Sequence, residues 1–176
     1  FNPISLALGA GATFVARTMD THPKHMEQVL LAAAQHKGSA FIEIYQNCVI
    51  FNDGAFEEVA GRKVRDERTI DLHPGEPMVY GKDHDKGLRF EGFDVVPCGA
   101  DEAQAWDPTR TTVAPAQLLA ELDRDPTRPN AVGIFRQVDA PLFDRELNDQ
   151  VDRVTEKKGK GVLRDLVYTP DSWIVD

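Results

Sequence analysis

The chain has 176 residues, 41% of them hydrophobic and 28% charged, enough to bury a core without disulfide or metal staples. Its 29 acidic residues against 20 basic ones give a formal net charge of −9, which repels phosphate backbones and argues against a nucleic-acid partner. Two cysteines and no apolar run long enough to cross a bilayer exclude a disulfide framework and a membrane span, so the chain reads as a cytoplasmic protein kept in reducing conditions.

Asn2-Pro3 reads as a helix start, with Asn at the cap and Pro at the first helical position, and Gly9 as the stop. Thr13 to Ala16 reads as a short strand. Thr21 is the expected cap of a second helix, in which Met26, Val29, Leu30 and Ala33 form the buried stripe and Gly38 marks the end. Ala40 to Tyr45 is the next strand. Strand, helix and strand make a βαβ unit with parallel strands. Ligands of open α/β sheets sit beyond the carboxyl ends of such strands, which is where Gln46 to Asp53 leaves the sheet.

From Ala60 the pattern changes. Asp71 to Tyr80 suggests two short strands around a Pro74-Gly75 turn, and Leu88–Phe90 with Phe93–Val96 suggests two more. Pro115 to Leu122 reads as a helix, Asp123 to Asn130 as a loop, and Val132 to Phe135 as a buried strand. Leu142 to Thr155 and Leu163 to Val167 read as helices. The tail Ser172 to Asp176 is apolar enough to dock rather than hang free. The expected fold class is α/β: a parallel sheet with flanking helices plus an irregular antiparallel insertion. The expected division is 1–59 for the βαβ part, 60–110 for the insertion and 111–176 for a C-terminal helical and strand segment.

Most chemical motifs are absent. No GxGxxG, phosphate-binding GxxxxGK[ST], HExxH or GxSxG occurs. Gly9-Ala10-Gly11 follows a helix and serves its end. His22 and His25 lack a third ligand and read as surface histidines. His73 and His84 stand near Asp71, Asp83 and Asp85, so a small hydrolase is a rival reading without a marked serine. Lys157-Lys158-Gly159-Lys160 reads as solvated surface. Cys48, past the end of the second strand, is on its residues alone a buried structural thiol. A nucleophile would need a base nearby, and a cubane cluster takes four cysteines, more than this chain has.

Asn2-Pro3, Phe14-Val15-Ala16-Arg17 and above all Phe41-Ile42-Glu43-Ile44-Tyr45-Gln46-Asn47-Cys48-Val49-Ile50-Phe51-Asn52-Asp53-Gly54-Ala55-Phe56 resemble the β subunit of 2-oxoacid:ferredoxin oxidoreductases, most closely the 2-oxoglutarate type. The resemblance runs through Asp83 to Leu88 and Leu142-Phe143-Asp144. It implies the C-terminal portion of a thiamine-diphosphate-binding fold. It implies an enzyme of the 2-oxoglutarate synthase type that decarboxylates a 2-oxoacid, forms its acyl-CoA and reduces ferredoxin. Thiamine diphosphate, Mg²⁺ and a [4Fe–4S] cluster are the implied cofactors, with Cys48 as the one metal ligand supplied here and most ligands elsewhere. The implied partners are the α subunit, the remainder of the β subunit, ferredoxin, the 2-oxoacid and coenzyme A. The family's Gly-Asp-Gly diphosphate motif and three further cysteines are not in the sequence. The chain is therefore expected to lack catalytic residues and cofactor-binding residues of its own, and to expose open sheet edges. Cys98 has no matching role and reads as structural. The alternative is a non-catalytic subunit-docking module.

Overall fold

The computed structural model describes every residue except 170, 174 and 176. Two compact units are formed, Phe1–Ala140 and Pro141–Asp176.

The first unit opens with α1 (Pro3–Gly9). The Asn2 side chain accepts from the Ser5 amide at 3.0 Å and donates to the Ala120 carbonyl at 2.7 Å, so one residue caps α1 and ties it to a distant helix. Gly9 is still helical. The left-handed position after the helix is Gly11, at φ 81°. β1 (Phe14–Met19) is buried along its whole length. α2 (Pro23–Gln35) leads to β2 (Ala40–Tyr45), which pairs with β1 in parallel from Phe14↔Ala40 to Met19↔Tyr45.

α3 (Glu57–Ala60) and α4 (Arg65–Arg68) are single turns before β3 (Thr69–Leu72) and β4 (Val79–Tyr80). β5 (Lys86–Glu91) and β6 (Asp94–Gly99) form a hairpin whose turn uses Gly92 at φ 63°. α5 (Ala114–Ala120) precedes β7 (Asn130–Gln137). The strand order is β2-β1-β7-β3-β4-β5-β6.

This order bears out the expected α/β class, with parallel pairs, flanking helices and an antiparallel part, and joins them in one mixed sheet. β7 runs antiparallel to β1 and parallel to β3, and β4, β5 and β6 continue antiparallel. The segment 60–110 thus supplies four strands to one mixed seven-stranded sheet. β7 joins the two halves by nonlocal pairing that no local pattern announces. Helices cover both faces. α1 and α5 pack with Val15, Leu72 and Phe135 on one face, while α2 packs through Val29 against Phe14 and Ala16 on the other. Trp106, fully buried, donates from its indole to the Ile134 carbonyl at 2.7 Å and fastens the chain between β6 and α5 onto β7.

Three local expectations for α2 change. Thr21 does not cap it; its hydroxyl donates to the Ala60 carbonyl at 2.6 Å, and His22 occupies the cap position. The buried stripe is His25 and Val29, with Leu30 exposed. β2 is the sheet border, so α2 has packed sheet under only one side. His25 is accordingly buried, not at the surface.

In the second unit, α6 (Phe143–Lys158) and α7 (Leu163–Val167) match the expected helices and bury no residue. Of the apolar tail, Trp173 and Val175 are exposed, while Ile174 and Asp176 lie outside the described residues. No described helix is long and apolar enough to cross a membrane.

Candidate functional site

The carboxyl ends of β1 and β2 meet where the Asp20 amide donates to the Tyr45 carbonyl at 3.0 Å. From there the chain leaves the sheet into a tight loop. The Asn52 amide donates to the Cys48 carbonyl at 2.9 Å, and Asn47 braces the loop from behind. Its amide nitrogen donates to Asp53 at 2.9 Å, and its oxygen accepts from the Gly54 amide at 2.8 Å. Asn47 is thus an internal strut of the loop, a second backbone made from a side chain.

Cys48 is exposed, which overturns the residue-only reading of a buried structural thiol. The nearby backbone amides of Phe51, Ile50 and Asn52 favour the charged form and lower the thiol from its ordinary range. Cys98 lies on β6, at the opposite border of the sheet from β2. There burial pushes the thiol up, with Arg89 opposing. The two sulfurs are therefore chemically unlike and cannot act together.

Val49, Ile50 and Phe51 form the loop tip at 73–90% exposure. Three consecutive apolar side chains in water are unusual for a surface loop. Beside the loop is an open recess of about 520 Å³, lined by Asp20, Thr21, Asn47, Asp53, Gly54 and Phe56 among others. Phe56 stacks on Tyr45 at 4.3 Å and forms its apolar floor. Burial raises the Tyr45 hydroxyl to about 12, so it stays neutral.

A second polar set lies on the α2 face of the sheet. Thr18 Oγ1 and His25 Nδ1 share a hydrogen bond of 2.7 Å, His25 Nε2 stands 3.1 Å from Asp71 Oδ1, and His73 Nε2 stands 2.9 Å from Asp71 Oδ2. With Asp71 ionised, the His25 ring gives its Nε2 proton to the carboxylate and accepts from Thr18 at Nδ1. Burial pushes the Asp71 carboxyl up, but the hydrogen bond from His25 and the electrostatic influence of the neighbouring histidines outweigh it and leave it below its usual range. Gly133, at φ 89°, makes room for this carboxylate: a Cβ there would stand 2.7 Å from Asp71 Oδ1.

The sequence places His73 near Asp71 but does not bring His25 to them. The readable signal was His25 four residues before Val29, which puts both on one helix face. Among the described residues no serine hydroxyl bonds either ring, so the set has no exposed nucleophile and does not support the hydrolase reading. His84, in the turn after β4 at φ 52°, lines an open recess with His22 and Asp71.

No protein-family model matches the chain. Its whole length is 37% identical to 49% of the 2-oxoglutarate oxidoreductase subunit KorB of Mycobacterium tuberculosis. A 2-oxoacid:ferredoxin oxidoreductase β subunit from a Sulfolobus species is 44% identical over 68% of the chain and 45% of its own length. The fold matches 98% of the chain to 45% of a chain in the 2-oxoglutarate:ferredoxin oxidoreductase of Magnetococcus marinus, solved with 2-oxoglutarate, coenzyme A and succinyl-CoA bound, at a TM-score of 0.52 and 19% identity. The chain spans about half the length of the curated relatives it matches over most of its sequence. The resemblance read from the Phe41–Phe56 segment is therefore borne out: the chain is homologous to β subunits of 2-oxoacid:ferredoxin oxidoreductases.

Proposed function

We propose that this chain is the C-terminal part of a 2-oxoacid:ferredoxin oxidoreductase β subunit of the 2-oxoglutarate type, and that Cys48 is the ligand it gives to a [4Fe–4S] cluster. The complete assembly would convert a 2-oxoacid to its acyl-CoA and pass the electrons to ferredoxin. Its partners would be the α subunit and the remainder of the β subunit.

The observation that carries the reading is the exposed thiol on a braced loop at the carboxyl end of β2, beside three exposed apolar side chains, with neighbouring backbone amides lowering its range. A cluster ligand must be a thiolate, and amide donors stabilise the charge on sulfur and tune the cluster potential. The loop therefore fits one corner of a cluster. The apolar tip Val49-Ile50-Phe51 fits the same reading, since a shell that excludes water belongs around such a centre. The other corners must come from elsewhere, because Cys98 sits at the far border of the sheet.

Thiamine diphosphate and Mg²⁺ do not fit this chain alone. Among the described residues no three His, Cys, Asp or Glu side chains converge as a metal site, and the diphosphate motif is missing from the sequence. The chain's own task is limited to what its residues can do. Asn47 and Asp53 fix the loop, the amides of residues 50–52 favour the charged sulfur, and the tip presents apolar side chains beside it.

The test is Cys48→Ser in a complete β subunit assembled with its α subunit. Cluster iron, the visible absorption band and ferredoxin reduction should be lost together. Full iron and normal ferredoxin reduction would refute the assignment.

A further inference from the structure

The loop after β2 holds the sequence's one Asp-Gly pair, Asp53-Gly54, and no Asn-Gly pair occurs. Both residues are exposed. An Asp-Gly pair can react with itself, because glycine has no Cβ to keep its amide nitrogen from the carboxyl carbon before it. The Gly54 nitrogen attacks Cγ of Asp53. The amide proton and the carboxyl OH leave as water, and a five-membered succinimide closes. Water then opens the ring at either carbonyl. Opening at Cγ restores aspartate. Opening at the main-chain carbonyl leaves isoaspartate, with one more carbon in the backbone.

Both reacting groups are held by one side chain. Asn47 Oδ1 accepts from the Gly54 amide at 2.8 Å, and Asn47 Nδ2 donates to Asp53 Oδ1 at 2.9 Å. The nucleophile's N–H and the carboxyl it would attack are therefore tied to the two heteroatoms of one planar amide. Attack requires the Gly54 bond to break and the Asp53 carboxyl to turn. Gly54 is also fixed from its other side, since its carbonyl accepts from the Glu57 amide at 3.1 Å.

We propose that Asp53-Gly54 is a site of succinimide and isoaspartate formation, and that Asn47 keeps it closed. The reaction consumes no reagent but water. Isoaspartate lengthens the main chain between the two groups that Asn47 grips, so the brace on the Cys48 loop cannot re-form in the same geometry. The inference does not rest on the cluster assignment, because the clamp and the dipeptide are the same whatever Cys48 binds.

The test incubates the full chain in mildly acidic buffer, native and in urea, and counts isoaspartate by enzymatic methyl transfer onto isoaspartyl carboxylates. Native wild type forms it about tenfold more slowly than the chain in urea, the worth of one hydrogen bond that must open first. Asn47→Ala closes most of that gap in native buffer, and Asp53→Ala abolishes the signal. Amide exchange separates opening of the loop from unfolding. Asn47→Ala frees the Gly54 amide, while the Phe14 amide, bonded to the Ser39 carbonyl at 2.9 Å, stays protected. A wild-type chain that isomerises equally fast native and in urea overturns the proposal. A signal that survives Asp53→Ala overturns the site. A wild-type rate in Asn47→Ala, with the Gly54 amide freed, overturns the role of Asn47.

Discussion

Two charged regions at the carboxyl end of β1 meet opposite fates. Arg17 and the Thr18–His25–Asp71–His73 set find their partners within the chain. Arg17, 1% exposed, bonds Glu43 at 2.6 Å, Asp123 at 3.2 Å and the Ala131 carbonyl at 3.3 Å, and its guanidinium lies over the rings of Tyr45 and Phe135. A buried cation persists only when its charge and its donors are met in this way. The Cys48 loop, one strand away, is the reverse. Its backbone is braced, yet its thiol and three apolar side chains face water. The first region is finished by its own residues, and the second presents groups whose use lies outside them.

That contrast breaks in ordered steps. Arg17→Ala should have the largest effect, because it strands Glu43 and Asp123 and opens a gap against Tyr45 and Phe135. A loss of about 3–5 kcal/mol is expected in denaturant unfolding. A loss below about 1 kcal/mol would mean that the buried pair is not structural.

Asp71→Asn should cost less, about 1–3 kcal/mol at neutral pH, the worth of a charge-assisted bond to His25. The Asp71 carboxyl titrates below its unfolded value in the folded chain. Its contribution is therefore complete above the unfolded carboxylate range and fades as pH falls through the folded value. The gap between wild type and Asp71→Asn should shrink on acidification. A constant gap would show that the carboxylate charge is not what stabilises the set.

How much of this was readable follows from the range of each interaction. Asn2-Pro3 gives the start of α1, and the short runs Leu88–Phe90 and Phe93–Val96 mark β5 and β6, because caps and short apolar runs are local chemistry. The insertion of β7 between β1 and β3 is decided by pairing with strands far back in the chain, Phe14↔Gln137 and Thr69↔Asn130, and local pattern has no access to it. Leu30 looked buried because helical spacing assigns a face, but the face has sheet beneath it only as far as the border strand β2. The partly buried carboxylate between His25 and His73 depends on Gly133, whose left-handed backbone no neighbouring residue predicts. Cys48 was found by likeness to a family segment; its residue type alone pointed inward. The amides around its sulfur became visible only in three dimensions.

The most direct test of the account is the rate at which Cys48 is alkylated in a complete β subunit, before and after iron is chelated away. The account predicts that Cys48 is protected while the cluster is bound and reacts quickly once it is stripped, at a pH below that of an ordinary thiol, as its lowered range requires. Cys98 should react slowly and equally in both states. Equal, fast alkylation of Cys48 with and without iron would contradict the central claim.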